Sequence, residues 1–186
     1  GLVSLDELVG LACTLPSGWR DTVRLTFSPS GAVTLSCGPG RYVNRENGTV
    51  LDTLTGLLWL RDVNCLPPAQ WEVANTLAAS LKDGECGLTD GSQPGDWRLP
   101  TSDEWSAAMA PAVAQGCESP ALTNDVGTNC LAIGPSSFAG MRPDAYWSSS
   151  AIEDNPDYAL FGFLIEGGIG PIEVNTLLWV WPVRGE

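Results

Sequence analysis

Six cysteines and no histidine set the limits on the chemistry open to this chain. Zinc sites combine Cys and His at close spacing, and no two cysteines here form a C-x-x-C ligand pair. Without His there is no imidazole base and no Ser-His arrangement. An even count of cysteines, at separations of 24 (Cys13 to Cys37), 21 (Cys65 to Cys86) and 13 (Cys117 to Cys130), points instead to a disulfide framework. Disulfides in turn point to an oxidising compartment. Six cysteines allow fifteen pairings, and spacing does not choose among them. Neighbour with neighbour, as just written, is the expectation; reduced, buried cysteines are the alternative. Carboxylate pairs such as Glu153/Asp154 lie in a polar loop with no apolar wall to raise a pKa, so no catalytic acid is expected there.

The stretch GDWRLPTSDEW, residues 95–105, concentrates more polar function than its surroundings. Thr101 followed three residues later by Glu104 is a capping box. Asp103 adds negative charge in the first helical turn, where the helix dipole favours it. Pro100 and Trp105 take the two positions of a hydrophobic staple. Trp97 is expected in the core, and Arg98 beside a carboxylate or loop carbonyls, because an unpaired arginine in an apolar turn would be destabilising. The helix should run to about Ala110 and stop before Pro111.

The elements that must hold these residues are readable in part. A chain of 186 residues is one domain, or one domain with a small appendage. The net charge is −13, with nine basic residues of which only Lys82 is a lysine. Nucleic acid and anionic lipid depend on clustered Lys and Arg and are not expected partners. No apolar run reaches membrane-spanning length, so membrane insertion is not expected either. The opening Gly1, in place of Met, reads as the start of a processed or trimmed product. Residues 22–37 read as a hairpin with its turn at Ser28-Pro29-Ser30-Gly31, and 41–52 as a second with its turn at Asn47-Gly48. Asn47-Gly48-Thr49 is also a glycosylation sequon, but the tight turn accounts for it. Leu57–Leu60 reads as an apolar strand. A helix over about 68–82 follows, with Trp71, Ala74, Leu77, Ala78 and Leu81 on one face and Asp83-Gly84 at its end. Residues 111–145 read as a long loop, and Ala159–Ile165, Ile169–Val174 and Leu177–Val183 as strands. Strands, two helices, a long loop and strands again make an α+β domain. Of the eight tryptophans, Trp59, Trp97, Trp105, Trp147 and Trp179 fall on element-forming motifs and are expected in the core.

Arg41-Tyr42-Val43, Asn47-Gly48-Thr49, Thr55-Gly56-Leu57-Leu58-Trp59, Gly95-Asp96-Trp97-Arg98-Leu99-Pro100, Tyr146-Trp147-Ser148-Ser149-Ser150 and Trp181-Pro182-Val183-Arg184-Gly185 occur in that order. Together they resemble the Lcl C-terminal domain family of bacterial collagen-like adhesins, over about residues 40–185. The resemblance strengthens the Cys65–Cys86 pairing, since Asn64 and Gly87-Leu88 flank those cysteines as in the cysteine-bearing branch of that family. It divides the chain into an N-terminal segment with a disulfide-linked hairpin (1–38) and a lectin-like domain (39–186). It implies a C-type-lectin-like fold, a secreted or cell-surface location, and a protein that binds rather than catalyses.

In such a fold ligands are held on loops and strands of the C-terminal half. Here those are Glu153, Asp154, Asn155, Asp157, Tyr158, Glu166, Glu173 and Asn175. Oxygen ligands at Asp154 and Asp157 raise the question of calcium, although the Glu-Pro-Asn signature of true C-type lectins is missing. No other cofactor is expected. The implied partner is a neutral glycan or a protein surface. Glycosaminoglycan is not expected, because the basic surface such relatives use is absent. Two alternatives remain. The apolar opening, with Leu2, Val3, Leu5, Leu8 and Val9, would make the protein a subunit of an oligomer or filament if it docks on a neighbouring copy. Arg98 to Thr101 with Glu104-Trp105 also resembles the formylglycine-generating oxidases, but the late reactive cysteines of those enzymes are missing, Cys130 being the last.

Overall fold

Leu57-Leu58-Trp59-Leu60 is apolar at every position, and such a strand needs cover on both faces. It receives it: the four residues are 8%, 5%, 1% and 0% exposed. The structure is a computed structural model that describes residues 40–185 and, before them, the backbone of three strands. Those three, β1 (Ala12–Thr14), β2 (Arg20–Phe27) and β3 (Val33–Gly38), form one antiparallel sheet, with Leu25 opposite Leu35 in the expected hairpin. The Cys13–Cys37 pairing and the assembly residues Leu2, Val3, Leu5, Leu8 and Val9 lie outside the described residues.

The main part is α+β. β4 (Tyr42–Asn44), β5 (Thr49–Asp52), β6 (Leu57–Leu60) and the closing β10 (Val183–Gly185) form an antiparallel sheet in the order β10-β6-β5-β4. β7 (Ala145–Ala151), β8 (Tyr158–Phe163) and β9 (Gly168–Glu173) form a second. Between them in sequence come α1 (Trp71–Ser80) and α2 (Ser102–Ala114). The Asn47-Gly48 turn is formed: Asn47 Oδ1 accepts from Thr49 N–H (3.2 Å) and Thr49 Oγ1 (2.7 Å). Gly48 has φ +84°, and a Cβ there would overlap the Gly87 carbonyl, so two constraints select glycine. The two described cysteine pairs, Cys65–Cys86 and Cys117–Cys130, are bridged. The first encloses α1; the second pins the long loop after α2.

Tryptophans join the layers. Trp181 packs on Trp59 (ring centroids 4.7 Å), Phe138 (5.0 Å), Trp105 (5.7 Å) and Tyr146 (5.8 Å). These partners come from β6, the long loop, α2 and β7, so one side chain ties four parts of the chain. Each ring pair is worth about 0.5–1.5 kcal/mol beyond the area it buries. Four indole N–H groups donate across elements to backbone carbonyls: Trp181 to Leu60 (2.7 Å), Trp105 to Trp147 (3.1 Å), Trp147 to Ala69 (2.7 Å) and Trp71 to Ser148 (2.8 Å), while those of Trp59 and Trp97 are buried without an acceptor among the described residues. A Cβ at Gly162 would lie 2.8 Å from the Trp105 ring, so the glycine lets α2 sit directly on β8. A second tie is ionic. Arg41, 5% exposed, faces the fully buried Asp52 (Nη2 to Oδ2 3.3 Å) and donates to Thr123 Oγ1 (3.0 Å) and to the Ala108 carbonyl (2.7 Å).

The Arg98 motif is structural. The capping box is complete, with Glu104 N–H on Thr101 Oγ1 (3.1 Å) and Thr101 N–H on Glu104 Oε2 (2.7 Å). Arg98 grips the same carboxylate with both nitrogens (2.7 and 2.6 Å) and reaches the Leu99 carbonyl (3.1 Å). Burial alone would raise the Glu104 pKa, but the Arg98 and Thr101 donors outweigh it and hold the carboxyl below its usual value. Trp97 is 1% exposed.

Four expectations need correction. α2 runs on to Ala114 with Pro111 inside it, because the burial of Ala108, Met109 and Ala112 holds the helix together past the missing N–H. α1 is shorter than the 68–82 pattern, spanning Trp71–Ser80. Leu177–Val183 is not one strand. It pairs in turn with Ala69, with β7 through Trp179, and with Arg98, and no single partner stays alongside long enough for a ladder. Trp179 is only half-buried, and the core position belongs to Trp181.

Candidate functional site

β8 and β9 run antiparallel with Tyr158 opposite Glu173. Val174 N–H donates to the Asp157 carbonyl (2.9 Å), which sets the phase of the ladder. By that phase Tyr158 and Glu173 form a non-hydrogen-bonded pair, the kind whose side chains stand closest together on one face. Asp157 precedes the pair on one strand and Asn175 follows it on the other. Asp157, Tyr158, Glu173 and Asn175 line a shallow hollow of about 410 Å³ at this open end of the hairpin.

The frame under the hollow is fixed by hydrogen bonds to its backbone. Trp71 N–H, at the start of α1, donates to the Val174 carbonyl (3.0 Å), and Gln70 Nε2 donates to the Asn175 carbonyl (3.3 Å). Tyr158 N–H closes the preceding turn on the Asn155 carbonyl (3.1 Å). The Asp157 and Glu173 carboxylates are exposed and have no ion-pair partner among the described residues. Two acceptor groups, a phenol and an amide on a rigid base can receive hydroxyl donors and present a ring edge to a C–H surface.

The eight sequence-derived candidates divide. Asp157, Tyr158, Glu173 and Asn175 come together. Glu153, Asp154 and Asn155 stand exposed in the turn leading into β8, beside the hollow but not lining it. Glu166 sits in the turn at the far end of the same hairpin, roughly 17 Å away at about 3.3 Å per strand residue, and does not belong to this group. Asp154 and Asp157 gain no further acidic ligand: among the described residues no group of three or more His, Cys, Asp or Glu could hold a metal ion.

A second hollow escaped the sequence reading. It lies between the Asn47-Gly48 turn and Cys86-Gly87, lined also by Glu46, Arg61 and Asp62. Glu46 (φ 60°) and Cys86 (φ 51°) both hold the left-handed conformation there. Thr89 N–H bonds the Asn47 carbonyl, and this long-range contact carries no local pattern that spacing could reveal.

No helix among the described residues is long and apolar enough to cross a membrane. No curated protein matches the chain. The Lcl C-terminal domain family matches residues 48–184, a span that takes in both described disulfides, both helices and most of the two sheets. That assignment and the disulfides suit an extracellular bacterial domain. The chain belongs to the Lcl C-terminal domain family.

Proposed function

We propose that this domain is a non-enzymatic binding module, secreted or surface-exposed, with a C-type-lectin-like scaffold that holds a neutral glycan at the open end of the β8–β9 hairpin. The observation that carries the reading is the convergence of Asp157, Tyr158, Glu173 and Asn175 in one hollow over a backbone anchored to α1. Rigid support beneath exposed polar groups is what recognition requires, since little ordering remains to be done on binding. The absence of histidine from the sequence and the charge of −13 favour contact with an uncharged ligand over general-base catalysis or polyanion binding. A glycan array probed with the intact chain and with Tyr158→Ala plus Glu173→Gln tests it. Retention of neutral glycans by the intact chain and its loss in the variant is the expected result; equal retention by both, or none by either, overturns the reading. Assembly through the apolar opening segment is the second reading, favoured by Leu2, Val3, Leu5, Leu8 and Val9 alone. Removing residues 1–12 then abolishes oligomers seen by size exclusion.

A further inference from the structure

Outside the hollow, two exposed basic side chains, Arg61 and Arg142, have no carboxylate within ion-pair distance among the described residues, and of these two Arg142 is held in place by other groups. Lys82, Arg98 and Arg184 are paired with Glu85, Glu104 and Asp90, and Arg41 with Asp52. Arg142 has no carboxylate within ion-pair distance among the described residues, although the chain has 22 acidic residues. It is exposed, yet it is held. Its Nε donates to Asn64 Oδ1 (2.6 Å), and its guanidinium lies over the Trp179 ring at 4.7 Å from the centroid. Trp179 is fixed in turn by its Nε1–H on Asp144 Oδ2 (2.9 Å). The Arg142 carbonyl accepts from Tyr146 Oη (3.1 Å), which anchors the backbone. Behind Asn64 stands Gly140, where a Cβ would overlap the Asn64 amide. Asp144 is already engaged, by Trp179 and by the Ala145 N–H (2.8 Å).

From this geometry we infer that Arg142, steadied by Trp179 and Asn64, is a binding site for a single carboxylate group on an otherwise uncharged ligand. The two Nη nitrogens make no hydrogen bond among the described residues, and they form the planar fork that receives a carboxylate through two parallel bonds. Stacking on the indole and the bond to Asn64 already restrain the guanidinium, so little rotamer freedom is left to lose on binding. The net charge of −13 repels polyanions, which limits the ligand to one negative group. The site shares no residue with the β8–β9 hollow.

The carboxylate could come from a sugar acid or from a peptide, and the test separates them. The Trp179 indole N–H and Arg142 Nε–H resonances are followed by NMR during titration with methyl glucuronoside or N-acetylglycine. Methyl glucoside, N-acetylglycinamide and sodium chloride at equal ionic strength are the comparisons. A saturable millimolar response to a carboxylate and none to the comparisons is the expected result, with the tighter of the two carboxylates naming the source. Arg142→Lys keeps the charge without the fork and weakens the response at least tenfold, while leaving the melting temperature unchanged. Absence of saturation with both carboxylates in the intact chain, or an undiminished response in Arg142→Lys, overturns the inference.

Discussion

Asp52→Asn removes a charge and almost no volume, and so isolates the buried ion pair from packing. In the folded protein Asp52 is fully buried and Arg41 5% exposed. Arg41 would keep its bonds to Thr123 Oγ1 and the Ala108 carbonyl, and Leu54 N–H could keep its acceptor at position 52 (3.0 Å at present). What is lost is the counter-charge to a guanidinium that water does not reach. Breaking a buried pair on one side costs about 3–5 kcal/mol, whereas replacing both partners with apolar groups is close to neutral. The two retained acceptors place Asp52→Asn near the lower end, about 3 kcal/mol. At roughly 2–4 °C per kcal/mol for a domain of this size, the melting temperature falls by about 6–12 °C. Urea titration followed by tryptophan fluorescence, with the disulfides kept oxidised, reads the change directly. Arg41→Met with Asp52→Leu should be more stable than Asp52→Asn alone. A loss below about 1 kcal/mol in Asp52→Asn, or a double variant worse than the single one, refutes the argument that this pair clamps the β4–β5 hairpin, α2 and the long loop together.

Four further outcomes follow from the same structure. Glu104 has a lowered folded pKa, so its contribution to stability is present above its usual value of 4.5 and is lost as pH falls through the folded pKa; the destabilisation caused by Glu104→Gln is therefore largest near neutral pH and shrinks below about pH 4.5 in a melting series. Asp125, whose pKa is raised by burial, runs in the opposite sense, and Asp125→Asn lowers stability least near neutral pH. Replacing Cys117 and Cys130 with Ser opens a loop of 13-residue separation and lowers stability by about 3 kcal/mol in chemical denaturation. The ladder phase turns Pro171 away from β8 on the free side of β9, where its missing N–H blunts an open edge; Pro171→Thr restores a donor there and gives concentration-dependent association by sedimentation.

How much of this was legible in the sequence depends on how local each cause is. The capping box at Thr101 and Glu104, the Asn47-Gly48 turn and the apolar strand at 57–60 were readable because neighbours a few residues apart decide them. β7 was not, because Ser148-Ser149-Ser150 has no alternation and its strand is imposed by β8 on one side and by Trp179 on the other. The same reason explains Trp179 and Trp181: two residues apart in one apolar run, only the fold decides which ring enters the aromatic cluster. At the candidate site, chain order brought Asp157 near Tyr158, but it took the β8–β9 register to add Glu173 and to send Glu166 to the far end. Arg142, Asn64 and Trp179 are distant in sequence and could be assembled only in three dimensions.

The proposed contact surface for uncharged sugar lies at the open end of the β8–β9 hairpin. The most direct measurement is chemical-shift mapping of the labelled chain against methyl glycosides of neutral hexoses. Saturable shifts confined to Asp157, Tyr158, Glu173, Asn175 and their backbone neighbours are predicted, with the glycoside recovered intact. Shifts centred elsewhere, no response to any glycoside, or conversion of the glycoside would contradict it.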